Sequence, residues 1–244
     1  MRSLLFVPGD EAANFPTSLI NADALIFDLT AASAQARMDH ARQSLRDFIF
    51  SARRTKERPR LFVRINGLET GMASLDLDAI MPAGPDGVVL PHARSGADVQ
   101  HLGAKLAVRE AENGLPDGHC AILAMVTETA ASLFGLASYA GSSQRLLGMA
   151  WSAQALTTSL GAQTPRLADG AYAAPYQLAR TLTLVGARAA QVEPIDAVFT
   201  DLSDETGLRD ECEAARRDGF TGKLAIHPAQ VPIINEVFGR GLKL

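Results

Sequence analysis

The sequence predicts a (β/α)8 barrel, and three observations carry that reading. Eight short β-rich apolar runs recur along the 244 residues. Helix-like segments lie between them. The runs are nearly continuous rather than alternating, as parallel strands covered on both faces require. A doubly wound open sheet is the competing arrangement. It is weaker, because no Gly-x-Gly-x-x-Gly turn follows the first run and because the count reaches eight. No internal linker interrupts the pattern, so residues 1–244 read as one domain.

The runs come in order. Ser3 to Val7 is the first and Ala24 to Leu29 the second. A helix is expected over Asp39 to Phe48, where Ala41, Leu45 and Phe48 share one side and polar residues the other. Leu61 to Ile65, Gly87 to Pro91, Ala121 to Val126 and Arg145 to Ala150 are the next four strands. The section from Thr157 to Ala174, rich in Thr, Gly and Pro, shows no clear strand and reads as a long functional loop after strand six. Leu178, Leu182, Val185 and Ala189 then repeat at helical spacing. Asp196 to Phe199 is read as strand seven. A helix follows over Leu208 to Arg217, with Leu208, Cys212 and Ala215 on one face and the pairs Arg209/Glu213 and Glu213/Arg217 on the other. Lys223 to His227 is strand eight. Pro228 suits a first helical turn, and Val231, Ile234 and Phe238 give a last amphipathic helix.

Composition narrows the function classes. The chain is 47% hydrophobic and 20% charged with net charge -4, which gives no basic surface for nucleic acid. No apolar run approaches the roughly 20 residues of a membrane span. The apolar start at Leu4 to Val7 is too short for a signal-peptide core before Pro8-Gly9-Asp10. Cys120 and Cys212 are far apart without metal-ligand spacing, and read as reduced core thiols of a cytoplasmic protein. Arg53 to Arg58 is the one basic run, best explained as a solvated loop before a strand.

In a barrel of this kind the strand C-termini build the active site. Read in turn they give Pro8-Gly9, Asp28, Arg64, His92, Glu128, the Trp151-Ser152-Ala153 region, Asp201 and His227. Polar or small residues gather there while strand interiors stay apolar, a distribution that favours a small anionic ligand. Each also admits a plainer reading as a turn residue or rim salt bridge. Arg64 ends an apolar strand and must be paired; its planar fork suits a carboxylate or a developing enolate oxygen, or an internal partner such as Asp28 or Glu128. Glu128, at the mouth of a buried strand, needs a partner too. A Mg²⁺ ion and an ion pair with Arg64 are both open to it. His227 reads as a structural hydrogen-bonding residue, and His40, His101 and His119 fall on helix faces or loops.

These residues carry a wider pattern. Arg2-Ser3-Leu4-Leu5-Phe6-Val7-Pro8-Gly9, Asp23 to Leu29, Val63-Arg64-Ile65-Asn66, Pro82 to Pro91, Ile195 to Val198, Asp204 to Leu208 and Gly219 to Gln230 resemble the citrate lyase β-subunit-like proteins of the HpcH/HpaI aldolase family. The resemblance runs essentially end to end. It implies a TIM barrel that forms trimers or hexamers. It also implies Mg²⁺-dependent cleavage or formation of a carbon–carbon bond in a β-hydroxy acyl thioester of the citryl- or malyl-CoA kind, with a 2-oxo acid as co-product. By the same resemblance Arg64 stabilises charge on the reacting oxygen, and Glu128, in Glu128-Thr129, is a metal ligand. The ligand pocket would include Pro8, Gly9, Asp28, Arg64, Trp151, Ser152 and Ala153.

The chain departs from the family at several points. Where the family reads Gly-Ala-Glu-Asp-Leu, this chain reads Ser152-Ala153-Gln154-Ala155-Leu156, so Ala155 stands at the second metal-binding carboxylate. Thr30-Ala31-Ala32 replaces Glu-Asp-Ser, and His92 stands where a lysine is common. No Lys or Arg occurs between Arg2 and Arg37, so a basic residue suited to CoA phosphates is missing. The sequence ends at Leu244 without the C-terminal extension of longer malyl-CoA lyase-like relatives. Lost carboxylates lower the expected Mg²⁺ affinity. Three readings follow: a citrate lyase-like lyase, a non-catalytic or repurposed homologue that binds an oxo acid or acyl thioester, and a metal-independent enzyme using Asp28 or Glu128 as base.

Overall fold

In the computed structural model, which describes residues 1–15, 21–30, 35–55 and 57–239, eight parallel strands pair in sequence order and close into a barrel. They are β1 (Ser3–Pro8), β2 (Ala24–Asp28), β3 (Arg60–Arg64), β4 (Gly87–Leu90), β5 (Ala121–Met125), β6 (Leu146–Ala150), β7 (Glu193–Asp196) and β8 (Gly222–Ala225). Around them run α1 (Gln35–Ala52), α2 (Ala73–Ile80), α3 (Gly96–Glu112), α4 (Ala153–Leu160), α5 (Ala174–Ala189), α6 (Glu205–Asp218) and α7 (Gln230–Gly239). The expected (β/α)8 barrel is the fold.

Strand side chains alternate between two apolar environments, which is why the runs look continuous. Leu4, Ala24, Ile26, Phe62, Val89, Leu123, Met125, Ala150, Ile195 and Leu224 form one buried cluster inside the barrel. Leu5, Val7, Leu25, Phe27, Leu61, Val63, Val88 and Ile122 join a larger cluster between barrel and helices. The barrel interior is thus packed, and ligand space lies at its mouth. Register sets what stands there. Pro8 pairs with Asp28 across β1 and β2, and Asp28 with Arg64 across β2 and β3. All three continue the inward phase of Phe6, Ile26 and Phe62.

Three expectations need correction. Strand seven is Glu193–Asp196 and not Asp196 to Phe199. Glu193 and Pro194, ahead of the expected run, pair with Gly148 and Met149 of β6. The apolar Ala197-Val198-Phe199 run lies beyond the ladder. Strand eight stops at Ala225, leaving His227 in the following turn. The first part of the expected long loop is α4. Ser152 caps it by accepting a hydrogen bond from the Ala155 N–H (3.2 Å), and Gly161 ends it in a left-handed conformation (φ 66°) that glycine adopts freely.

The last helix begins at Gln230, two residues after Pro228. On α6, Arg209 reaches across to Glu236 of α7 at 2.7 Å. Both cysteines are free and buried, and burial pushes the Cys212 thiol up to about 12. Residues Ala31 and Ala32 of the departure after β2, Lys56 of the basic run, and the terminal 240–244 lie outside the described residues.

Candidate active site at the barrel mouth

The mouth opens into a cavity of ≈ 560 Å³, within the usual range for small-molecule sites. Pro8, Asp28, Arg64, Glu128, Trp151 and Ser152 line it together, so residues up to 144 positions apart in sequence (152 − 8) meet there. Gly9 and Ala153 do not line it. Gly9 sits directly against Asp28, whose carbonyl oxygen would be 2.8 Å from any added Cβ, so only glycine lets the first loop pass the second strand. Ala153 is buried as the first residue of α4.

Arg64 is the hub. Its Nη1 donates to Asp28 Oδ2 at 3.3 Å and its Nη2 to Glu128 Oε1 at 3.0 Å. The internal partners weighed for Arg64 are therefore both present. They use only part of a guanidinium that carries five N–H donors, and the buried Nε has no partner among the described residues. The side chain keeps 20% of its surface exposed and lies 5.9 Å from the Phe6 ring centroid.

Glu128 is 1% exposed, so each oxygen needs a donor. Oε1 has Arg64; Oε2 accepts from the backbone N–H of His92 at 2.7 Å. His92 adopts a left-handed conformation (φ 52°) just past β4, and Glu128 ties down that turn. The His92 ring itself stands 3.6 Å away and borders a separate cleft. Asp28 accepts from the N–H and hydroxyl of Thr30 through Oδ1 (2.8 and 2.6 Å), a local turn that fixes its orientation.

Sequence reasoning missed part of the lining. Val198 and Thr200, after the true end of β7, line the cavity, as do Gln154, Ala155, Phe6, Met125, Leu224 and Ile226. Phe6, Met125 and Ile226 follow the inward phase of Leu4, Leu123 and Leu224, a signal that becomes usable only once the register is known. Asp201 lies outside, folded into its own turn by accepting from the Ser203 N–H and hydroxyl (2.9 and 2.6 Å). His227 is exposed, with Nδ1 accepting from the Ala229 N–H at 3.2 Å, the structural role expected of it.

Mg²⁺ takes about six oxygens in near-octahedral geometry. The two cavity carboxylates already place every oxygen on a donor, and Arg64 offsets one of their charges. Ala155 offers no side-chain oxygen. Among the described residues there is no group of three or more His, Cys, Asp or Glu that would hold a metal ion. These residues do not fit a resident Mg²⁺ held by the protein alone.

Behind the cavity, Trp151 leads into a second, sealed network. Its Nε1 donates to Asp196 Oδ1 at 2.8 Å. The Lys223 ammonium donates to Asp196 Oδ2 (2.8 Å) and Glu211 Oε1 (2.7 Å), Arg180 reaches Asp196 at 3.3 Å, and Arg166 reaches Glu211 at 2.6 Å. Burial alone would raise the Asp196 carboxyl, but Lys223 and Arg180 outweigh it and hold it below the ordinary range. Likewise burial disfavours the Lys223 charge, and Asp196 and Glu211 more than restore it. This cluster joins barrel and helices, and among the described residues none of its buried side-chain polar atoms lacks a partner.

Comparison with known proteins agrees with this geometry. The model of the HpcH/HpaI aldolase/citrate lyase family matches residues 2–228. The citrate lyase subunit beta of Leuconostoc mesenteroides subsp. cremoris is 34% identical over 240 residues, covering 97% of this chain and 76% of that protein. A (3S)-malyl-CoA thioesterase of Cereibacter sphaeroides is 36% identical over 240 residues, with the same coverage. The citrate lyase beta subunit of Mycobacterium tuberculosis, solved with oxaloacetate and magnesium, superimposes with a TM-score of 0.81 at 32% identity, covering 98% of this chain and 96% of that one.

Proposed function

We propose, from the premise that this chain belongs to the HpcH/HpaI aldolase/citrate lyase family, that its barrel mouth is the active site of a carbon–carbon lyase. The substrate class is a β-hydroxy acyl thioester of the citryl or malyl kind, and one product is a 2-oxo acid. The observation that carries the reading is Arg64, placed at the mouth by three paired strands with N–H donors still free beside a cavity large enough for a small acid.

The residues divide the work as follows. The ligand carboxylate, or the oxyanion that develops next to it, meets the guanidinium, whose charge and planar fork favour that oxygen. Asp28 and Glu128 hold the guanidinium from behind, so it is oriented before the ligand arrives. In the cleavage direction the β-hydroxyl loses its proton to a base and becomes the oxo group. The carbon–carbon bond breaks, and its electron pair passes to the thioester enolate, which is then protonated at carbon. One proton moves from oxygen to carbon and nothing is oxidised or reduced. Asp28, 18% exposed against 1% for Glu128, is the carboxylate the hydroxyl reaches. Glu128 is the orienting residue, buried under Arg64 and the His92 amide.

Ala155 favours a second reading, in which the pocket binds an oxo acid or acyl thioester without turning it over. Mg²⁺ is proposed to bind weakly here, and no step above depends on it. The proposal extends, by family resemblance, to a homo-oligomer in the cytoplasm. Among the described residues no helix is long and apolar enough to cross a membrane.

One experiment addresses both readings. Mg²⁺ is titrated calorimetrically in the presence of oxaloacetate, and thioester cleavage is followed in parallel, for wild type and for Ala155→Asp with Gln154→Glu. The restored carboxylates should tighten Mg²⁺ at least about tenfold. Tight Mg²⁺ binding by wild type with no gain in the variant would sink the account of Ala155. Cleavage by wild type supports the lyase; binding without cleavage leaves the second reading.

A further inference from the structure

We infer that the mouth pocket selects a ligand with a single carboxylate and an apolar arm, so that a 2-oxo monocarboxylate is preferred over a dicarboxylate such as oxaloacetate. This rests on the reading of the mouth as an oxo-acid site, and narrows the substrate class away from the citryl kind, whose oxo acid is a dicarboxylate, to thioesters that release a 2-oxo monocarboxylate.

The charge inventory of the cavity comes first. Arg64 is the one cation among its described lining residues, and Asp28 and Glu128 are its two anions, so the formal balance is -1 (one positive, two negative) before a ligand enters. One ligand carboxylate can use the guanidinium donors that Asp28 and Glu128 leave free. Among the described lining residues a second carboxylate has no cation to go to. Of the residues outside the description, 16–20 and 31–34 include no Lys, Arg or His, and Lys56, Arg240 and Lys243 belong to segments whose described neighbours do not line the cavity. The second group would be held near two like charges and would lose water without a partner, both unfavourable. Neutral Ser152, Gln154 and Thr200 soften that cost without removing it, and the Ser152 hydroxyl already accepts from the Ala155 N–H.

The rest of the wall is the second, independent argument. Phe6, Met125, Val198, Leu224 and Ile226 make up an apolar part of the same wall. It is continuous with the barrel interior, since Met125 and Leu224 belong to the inner cluster and Phe6 and Val198 pack on it. An apolar arm covers this surface and displaces its water, whereas a carboxymethyl arm of similar length cannot. The cavity, at ≈ 560 Å³, has room for a branched arm of several carbons.

The test is calorimetric titration of the full chain, in buffer with EDTA at neutral pH, with 2-oxoisovalerate, 2-oxoglutarate and oxaloacetate in separate runs. 2-Oxoisovalerate should bind at least about tenfold more tightly than either dicarboxylate. Gln154 is exposed at the cavity edge, so Gln154→Arg should fold normally and supply the missing cation. It should tighten the two dicarboxylates and leave 2-oxoisovalerate nearly unchanged. Oxaloacetate bound as tightly as 2-oxoisovalerate by wild type would overturn the inference and leave the oxo-acid site standing. Failure of all three acids to bind would overturn the oxo-acid site itself, and this inference with it.

Discussion

The barrel mouth and the wall behind it use the same chemistry for different ends. At the mouth, two carboxylates share one guanidinium, and that cation keeps a fifth of its surface exposed with donors to spare. In the wall, Asp196 and Glu211 face three cations, Lys223, Arg180 and Arg166, and Lys223 is fully buried. Trp151 stands between them, lining the cavity while its indole N–H is tied to Asp196. The difference teaches that charged residues in a barrel become a site through unspent donors and access, not through their number. A saturated cluster fixes the scaffold; an unsaturated one at the mouth waits for a ligand.

The sharpest way to break the comparison is Lys223→Met. It leaves Asp196 and Glu211 buried with their shared ammonium gone, and breaking such a buried network costs about 3–5 kcal/mol. Urea unfolding followed by circular dichroism should show that loss as a lower midpoint with little change in slope. A loss under about 1 kcal/mol would mean that Arg180 and Arg166 alone neutralise the wall.

The mouth should respond in the opposite sense to Arg64→Lys. The charge survives, but the planar fork that spans Asp28 and Glu128 does not. We expect about 1 kcal/mol of stability to be lost, while 2-oxo acid affinity falls at least about tenfold. Equal effects on both, in either direction, would dissolve the distinction between wall and mouth.

Much of the architecture was legible in the sequence, because strands covered on both faces leave long apolar runs and the linking helices leave a 3.6-residue period. The same double coverage hid the phase. Leu4 and Leu5 are equally apolar, yet one packs inside the barrel and the other under the helices. The charged strand residues carry no signal of facing either. Asp196 and Lys223 point out of the barrel into the wall network, and nothing in a linear reading separates them from Asp28 and Arg64, which point into the mouth. Arg64 and Glu128 were readable as partners because each needed one. The His92 amide on Glu128 was not, since backbone donors leave no mark on side-chain pattern.

His227 gives the finest test of where the mouth ends. By sequence it closes strand eight, and a histidine there would reach the ligand. In the fold β8 stops at Ala225, so Ile226 takes the place on the cavity wall and the imidazole turns outward to accept from the Ala229 amide. That contact shapes an exposed turn before α7 and touches neither Arg64 nor the cavity. His227→Ala should therefore change stability by no more than about 0.5 kcal/mol and leave oxo-acid affinity at the wild-type value. Ile226→Ala, one residue earlier, should instead weaken an apolar-armed oxo acid by a few-fold, because it strips wall surface from the arm. If the histidine variant loses affinity and the isoleucine variant does not, the mouth extends one residue beyond where the strand geometry places it.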